Sequence, residues 1–115
     1  NISNNTISLT SSLVSGVLNG LICALPFEGS YTINNNTFTT LSLSAAGASA
    51  PGIACISVAG GANNIISGNK IQGSSTGAGT GSATITGISV NGGTTNNIFK
   101  NKLISICLMN YLKIL

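Results

Sequence analysis

The amino-acid sequence predicts an all-β fold in which short strands from successive repeats of about 32 residues stack in parallel. Three observations support this prediction. A motif of the form Ile-x-x-Asn-x-(Ile/Phe/Leu) occurs four times at nearly constant intervals. Apolar and polar residues alternate within each repeat, which is the period of a half-buried strand. Asn and Gly each occur 15 times in 115 residues, and both favour turns.

The four motif copies define the predicted interior. Their asparagines are separated by 31, 33 and 32 residues and are Asn5, Asn36, Asn69 and Asn101. Because an amide side chain both donates and accepts hydrogen bonds, we expect these four to lie above one another as a ladder. The flanking apolar residues would form two core rows. These rows are Ile2, Ile33, Ile66, Ile98 and Ile7, Phe38, Ile71, Leu103.

A second alternating element precedes the last three motif copies. It consists of the apolar pairs Cys23/Leu25, Ile56/Val58 and Ile88/Val90. The second member of each pair precedes the isoleucine of the motif by eight residues every time. By contrast, the first member of each pair follows the last apolar residue of the preceding motif by 16, 18 and 17 residues. Constant blocks joined by variable connectors are typical of stacked units with loops on the outside. We therefore predict outward Gly/Ser/Ala loops within 44–51 and 73–82, and Gly/Asn turns at 60–64 and 92–97.

The composition excludes most catalytic chemistry. The chain has no Asp, Arg, His or Trp, and its charged residues are Glu28, Lys70, Lys100, Lys102 and Lys113. A two-carboxylate glycosidase, a Ser-His-Asp site, an ordinary zinc site and a carboxylate cage for calcium each need residues that are missing. We therefore predict no catalytic residue, no metal site and no cofactor.

The charge and hydropathy patterns exclude two classes of partner. A net charge of +3 that comes from lysines without arginine does not indicate nucleic-acid binding. The most apolar stretches, 13–27 and 103–115, are interrupted by polar residues or are short, so we predict no membrane span. Cys23, Cys55 and Cys107 are odd in number and far apart, which indicates buried thiols rather than a disulfide framework.

Two pairs of segments resemble a known family. Residues 52–58 with 64–71, and residues 87–93 with 96–103, are similar to coils of the right-handed parallel β-helix of the pectate-lyase-like superfold. The second pair closely resembles repeats of large secreted or cell-surface bacterial proteins, many of which are exported by the type IX route. The resemblance implies a right-handed solenoid over about residues 1–103, and the repeat spacing gives it about three and a half coils. Pectate lyases use acidic residues for Ca²⁺ and a basic residue for proton abstraction, and no such set can be carried over here.

These observations lead to one expected organisation and one expected function. We expect a single domain with β-helix coils at 1–103 and an irregular apolar segment at 104–115, as part of a longer chain. We expect a non-catalytic structural or interaction module, stalk-like or adhesin-like, that is extracellular or at the cell surface. Its expected partners are carbohydrate or another surface protein, together with self-association through uncapped ends.

Two alternatives belong to other functional classes. One is a non-catalytic fragment of a polysaccharide lyase or glycosidase whose active-site coils lie outside this sequence. The other is an ice-binding β-solenoid, which needs a flat and regular array of threonines. Thr39, Gln72 and Ile104 occupy equivalent positions and do not repeat, so the sequence disfavours the ice-binding alternative.

Overall fold

The computed structural model of the chain describes residues 1–11, 17–24, 29–43, 52–76, 84–104 and 107–108. These residues form strands joined by short turns, and they contain no helix. The strands are β1 (Ile2–Ser3), β2 (Thr6–Ser11), β3 (Val17–Cys23), β4 (Ser30–Asn34), β5 (Thr37–Leu43), β6 (Gly52–Val58), β7 (Asn63–Ser67), β8 (Lys70–Gln72), β9 (Ser74–Thr76), β10 (Thr84–Val90), β11 (Thr95–Phe99), β12 (Lys102–Ile104) and β13 (Cys107–Leu108).

The strands form three sheets in which the described pairings are all parallel. Sheet A has the order β1-β4-β7-β11, and sheet C has the order β10-β6-β3. Sheet B contains β12-β8-β5-β9-β13, with β2 paired to β5. Neighbouring strands come from successive repeats, which confirms the predicted all-β fold of parallel strands and is compatible with a parallel β-solenoid.

Each repeat contributes one layer to the stack. Layer 1 consists of β1 and β2, layer 2 of β3–β5, layer 3 of β6–β9 and layer 4 of β10–β13. The register places Ile2 opposite Ile33 and Ile98 opposite Ile66 in sheet A. In the inner layers the side chains of Ile33, Ile66, Phe38 and Ile71 are completely buried, so the apolar core is continuous between layers 2 and 3.

The core rows become more accessible toward both ends of the stack. Ile2 and Ile7 in layer 1 are partly buried and pack against the core. Ile98 and Leu103 in layer 4 are 48% and 42% exposed. Layers 2 and 3 therefore contain the best-packed part of the described molecule, and each end presents apolar side chains.

Small residues in sheet C compensate for large residues in sheet B. Gly20 and Gly87 lie in the register position of Cys55, at the centre of sheet C. A Cβ atom on Gly20 would lie 2.9 Å from Cε1 of Phe38, and one on Gly87 would lie 2.5 Å from Cδ2 of Leu103. Glycine therefore occurs where the facing side chain fills the interior and leaves no room for a Cβ atom.

A left-handed residue forms the corner between sheet A and sheet B in every layer. The φ angles are 59° for Asn4, 54° for Asn35, 63° for Gly68 and 55° for Lys100. Each of these residues directly precedes an asparagine of the repeated motif. The left-handed conformation turns the chain within two residues, because the next strand begins immediately after that asparagine.

The register of sheet C corrects one expectation from the sequence. Cys23 pairs with Val58, and Leu21 pairs with Ile56, so the apolar pair of layer 2 is Leu21/Cys23 and not Cys23/Leu25. Leu25 lies outside the described residues. Six residues separate β3 from β4 along the chain, whereas four residues separate β6 from β7 and β10 from β11. The predicted spacing of eight residues between the apolar pair and the isoleucine of the motif is therefore wrong for layer 2. The sequence could not reveal this, because an alternation of period two fits both assignments equally well.

Only part of segment 104–115 is described. Ile104 is the last residue of β12, and Cys107–Leu108 forms β13, which pairs with β9. The remainder of the segment lies outside the described residues.

We predict opposite effects of substitutions at two of the corner positions. Gly68→Ala should destabilise the fold by about 1–2 kcal/mol, because alanine disfavours the left-handed conformation and its Cβ would contact Oδ1 of Asn35. Lys100→Gly should stabilise the fold by about 0.5 kcal/mol, since relief of that conformation exceeds the added entropy of the unfolded chain. Urea denaturation measures both changes in the free energy of unfolding.

Lys102→Gly is the matched control, because Lys102 is an exposed lysine in a strand only two residues away. This control should be destabilising. Equal losses for Lys100→Gly and Lys102→Gly would contradict the left-handed corner.

Candidate functional site

The four asparagines of the repeated motif are joined by side-chain hydrogen bonds, and we call this set the asparagine ladder. Asn36 Oδ1 accepts from the backbone N–H and from Nδ2 of Asn5, at 3.1 and 3.0 Å. Asn69 Oδ1 accepts the same pair from Asn36 at 2.9 and 3.0 Å. Asn101 Oδ1 accepts both from Asn69 at 2.9 Å. Every step of the ladder therefore uses one side-chain oxygen and two donors.

The second hydrogen of each Nδ2 group binds a backbone carbonyl. For Asn36, Asn69 and Asn101 this carbonyl belongs to the preceding layer and lies 2.9 Å away. For Asn5 it is the carbonyl of Ser3, at 3.0 Å. Asn36 and Asn69 thus use both donors and both acceptor positions of their amides while they are completely buried. A buried polar group is tolerated when it is satisfied in this way.

The asparagine ladder has a fixed direction. Because a backbone N–H can only donate, the Oδ1 atom that receives it must face the preceding layer. The side-chain oxygens therefore point toward layer 1, whereas the backbone N–H and one Nδ2 hydrogen of each inner asparagine point toward layer 4. Among the described residues, Asn5 Oδ1 has no donor, and the backbone N–H of Asn101 has no acceptor.

A second pair of stacked asparagines was missed in the sequence analysis. Asn64 Nδ2 donates to Asn96 Oδ1 at 2.8 Å and to the carbonyl of Gly60 at 3.0 Å. Asn96 Nδ2 donates to the carbonyl of Gly92 at 3.0 Å. Asn64 and Asn96 each follow a glycine by four residues, and this common spacing was the sequence signal for the pair. Layer 2 has Tyr31 at the equivalent position, so the pattern does not extend to that layer.

The described cationic side chains are concentrated toward one end of the stack. They are Lys70, Lys100 and Lys102, all of which are exposed and lie in layers 3 and 4 or at their corners. Lys70 and Lys102 are register partners in sheet B, where like charges on adjacent strands repel each other. The described segments contain no acidic side chain and no group of three residues able to hold a metal ion.

The outward side of sheet A carries neutral hydrogen-bonding groups, and we call it the outer polar face. Ser30, Asn63 and Thr95 form one exposed row in register, next to the exposed Asn97. Phe99 is 47% exposed at the layer 4 edge of the same surface. This surface therefore combines amide and hydroxyl groups with the exposed apolar side chains of Phe99 and Ile65.

An open groove of about 490 Å³ lies at the layer 4 end of the stack. Its lining includes Ile88, Val90, Ile98 and Leu103, with Asn101 among them. These positions continue the inward-facing rows of layers 2 and 3. The groove is therefore the uncovered side of a layer interior, in the part of the chain that the structure describes.

Two described cysteines lie inside the stack. Cys23 and Cys55 are buried and are not joined in a disulfide. Burial raises the pKa of the Cys23 thiol, because the apolar surroundings disfavour the thiolate. A neutral and inaccessible thiol of this kind acts as a small apolar core residue.

The chain matches no family model, no curated protein and no solved structure. Within the described residues, no helix is long and apolar enough to cross a membrane.

We predict that removal of an inner amide of the ladder costs more stability than removal of an end amide. Asn69→Ala should lower the free energy of unfolding by about 3 kcal/mol, since it leaves two buried donors of Asn36 without an acceptor. Asn5→Ala should cost about 1 kcal/mol, because Asn5 is exposed and its backbone N–H still reaches Asn36. Chemical denaturation measures both values.

Asn63→Ala provides the matched control, as it removes an exposed amide from the outer polar face. Its cost should stay below about 0.5 kcal/mol. Equal losses at Asn69 and Asn63 would rule out an energetic role for the ladder.

We also predict a pH-dependent contribution from Cys23. Above the ordinary thiol pKa of about 8.5, the unfolded thiol ionises while the buried thiol stays neutral. The unfolded state then binds fewer protons than the folded state, so stability decreases as pH rises through this window. Cys23→Ala lacks the effect, and the stability difference between the parent protein and the variant should shrink from about pH 7 to pH 10. A constant difference across that range would contradict the raised pKa.

Proposed function

We propose that this chain is a non-catalytic structural and interaction module of a secreted or cell-surface protein. We infer that it forms about three and a half coils of a right-handed parallel β-helix of the pectate-lyase-like kind. The asparagine ladder is the observation that carries this proposal. All donors and acceptors of its inner side-chain amides are hydrogen-bonded to neighbouring layers. The repeated asparagines therefore hold the layers of the stack together.

The connectivity supports the inferred handedness. Each strand of sheet A pairs in parallel with the strand one repeat later, and the connection runs through sheets B and C. Connections between parallel strands of the same sheet are right-handed in about 98% of cases. A right-handed coil is therefore the expected path.

The outer polar face supports carbohydrate as the partner of the module. Asn63 and Asn97 can each donate and accept, as sugar hydroxyls do, and their position on a sheet fixes their spacing. Phe99 adds an apolar ring surface on which a sugar ring could lie. The exposed groups of this face are neutral, so recognition would depend on hydrogen bonds and shape and only weakly on salt.

Binding to a panel of polysaccharides, with parallel detection of cleavage products, tests this proposal. We expect at least one polysaccharide to bind without release of products. The double variant Asn63→Ala/Asn97→Ala should weaken this binding about tenfold, since each lost hydrogen bond contributes about 0.5–1.5 kcal/mol. Asn91→Ala, which removes an exposed amide from a turn after sheet C, is the matched control and should bind normally.

Two results would contradict the proposal. Release of products by the folded chain would contradict a non-catalytic role. Binding that is equally strong in the double variant and in Asn91→Ala would exclude the outer polar face as the contact surface.

A further inference from the structure

The two ends of the asparagine ladder carry opposite hydrogen-bonding groups. At the layer 1 end, Asn5 presents a side-chain oxygen without a donor among the described residues. At the layer 4 end, Asn101 presents a backbone N–H without an acceptor there, and its Nδ2 group makes only the bond to Ile66. These are the partners that meet at each of the three steps inside the stack. One end therefore supplies the half of a ladder step that the other end lacks.

The apolar side chains of the two ends match in the same register. Ile2 and Ile7 of layer 1 belong to the same rows as Ile98 and Leu103 of layer 4. The layer 4 groove would accept Ile2 above Ile98 and Ile7 above Leu103, as Ile66 and Ile71 lie above Ile33 and Phe38 within the stack. Covering these half-exposed side chains provides a hydrophobic driving force.

The charges distinguish this arrangement from a symmetric one. Two layer 4 ends placed together would bring the lysines of both copies into proximity and would set donors against donors. The described residues of layers 1 and 2 carry no charged side chain. Contact between a layer 4 end and a layer 1 end avoids both conflicts.

We propose that the layer 4 end binds the layer 1 end of a second copy of this chain, head to tail, so that the asparagine ladder continues from one molecule into the next. This inference rests on the proposed function only in taking the stack to be a β-helix that can be continued. The second copy binds at the ends of the stack and not at the outer polar face.

The contact would extend two of the three sheets. Layer 1 supplies β1 for sheet A and β2 for sheet B, whereas the first described strand of sheet C, β3, belongs to layer 2. The second copy would thus pair with β11 and β12 and leave a slot one strand wide beside β10. Backbone amides of β11 and β12 should therefore gain protection from hydrogen exchange on association, while those on the open edge of β10 should not.

Sedimentation of the 115-residue chain over a concentration series, together with a matched pair of end variants, tests this proposal. Ile2→Lys places a charge at the layer 1 end, and Ile98→Lys places one at the layer 4 end. Each variant keeps only one competent end, so each should be monomeric alone. An equimolar mixture should form one-to-one dimers, because the competent ends are then complementary. Circular dichroism verifies that both variants are folded.

Ile65→Lys is the control, because Ile65 is an exposed isoleucine on the outward side of sheet A. This variant should associate like the parent chain. A monomeric parent chain would overturn the proposal. Self-association of Ile2→Lys alone would overturn it as well, since that variant retains only its layer 4 ends and would have to bind through two of them. Polysaccharide binding by a strictly monomeric chain would refute this inference and leave the proposed function standing.

Discussion

The hydrogen bond from a backbone N–H to the side-chain oxygen of the next asparagine is the interaction on which the stack depends. It fixes the orientation of each amide, because the oxygen must face the preceding layer. Once the orientation is fixed, Nδ2 is directed toward the next asparagine and toward a carbonyl of the preceding layer. A single residue type at a single corner therefore joins each layer to its neighbours through several hydrogen bonds.

The same interaction explains why the strand register is fixed next to the asparagines and varies in sheet C. The asparagines must meet directly, so the strands that flank them in sheets A and B start from fixed points. Sheet C is separated from the ladder by connections of variable length, and the connection from β3 to β4 has two more residues than those from β6 to β7 and from β10 to β11. The apolar interior adapts to this variation by pairing small residues with large ones, as Gly20 does with Phe38.

The sequence indicated the parallel strands and the four motif asparagines, because both leave a periodic pattern along the chain. It could not assign Leu21 and Cys23 to their neighbours in sheet C, since alternation of period two is unchanged by a shift of two residues. The left-handed corner was also hidden, because Lys100 occupies in one layer the place that Gly68 has in another. Compensation across the interior, as between Gly87 and Leu103, links residues that only the folded chain brings together.

Hydrogen exchange at a single backbone amide tests the central role of the ladder most directly. The N–H of Asn69 donates to Oδ1 of Asn101 and not to a backbone carbonyl. In the variant Asn101→Ala, the Asn69 amide should lose its protection from exchange, while the amide of Ile56 in the buried strand β6 stays protected. Unchanged protection of Asn69 in a folded Asn101→Ala protein would contradict the account, because its amide would then not depend on the side chain of the next layer.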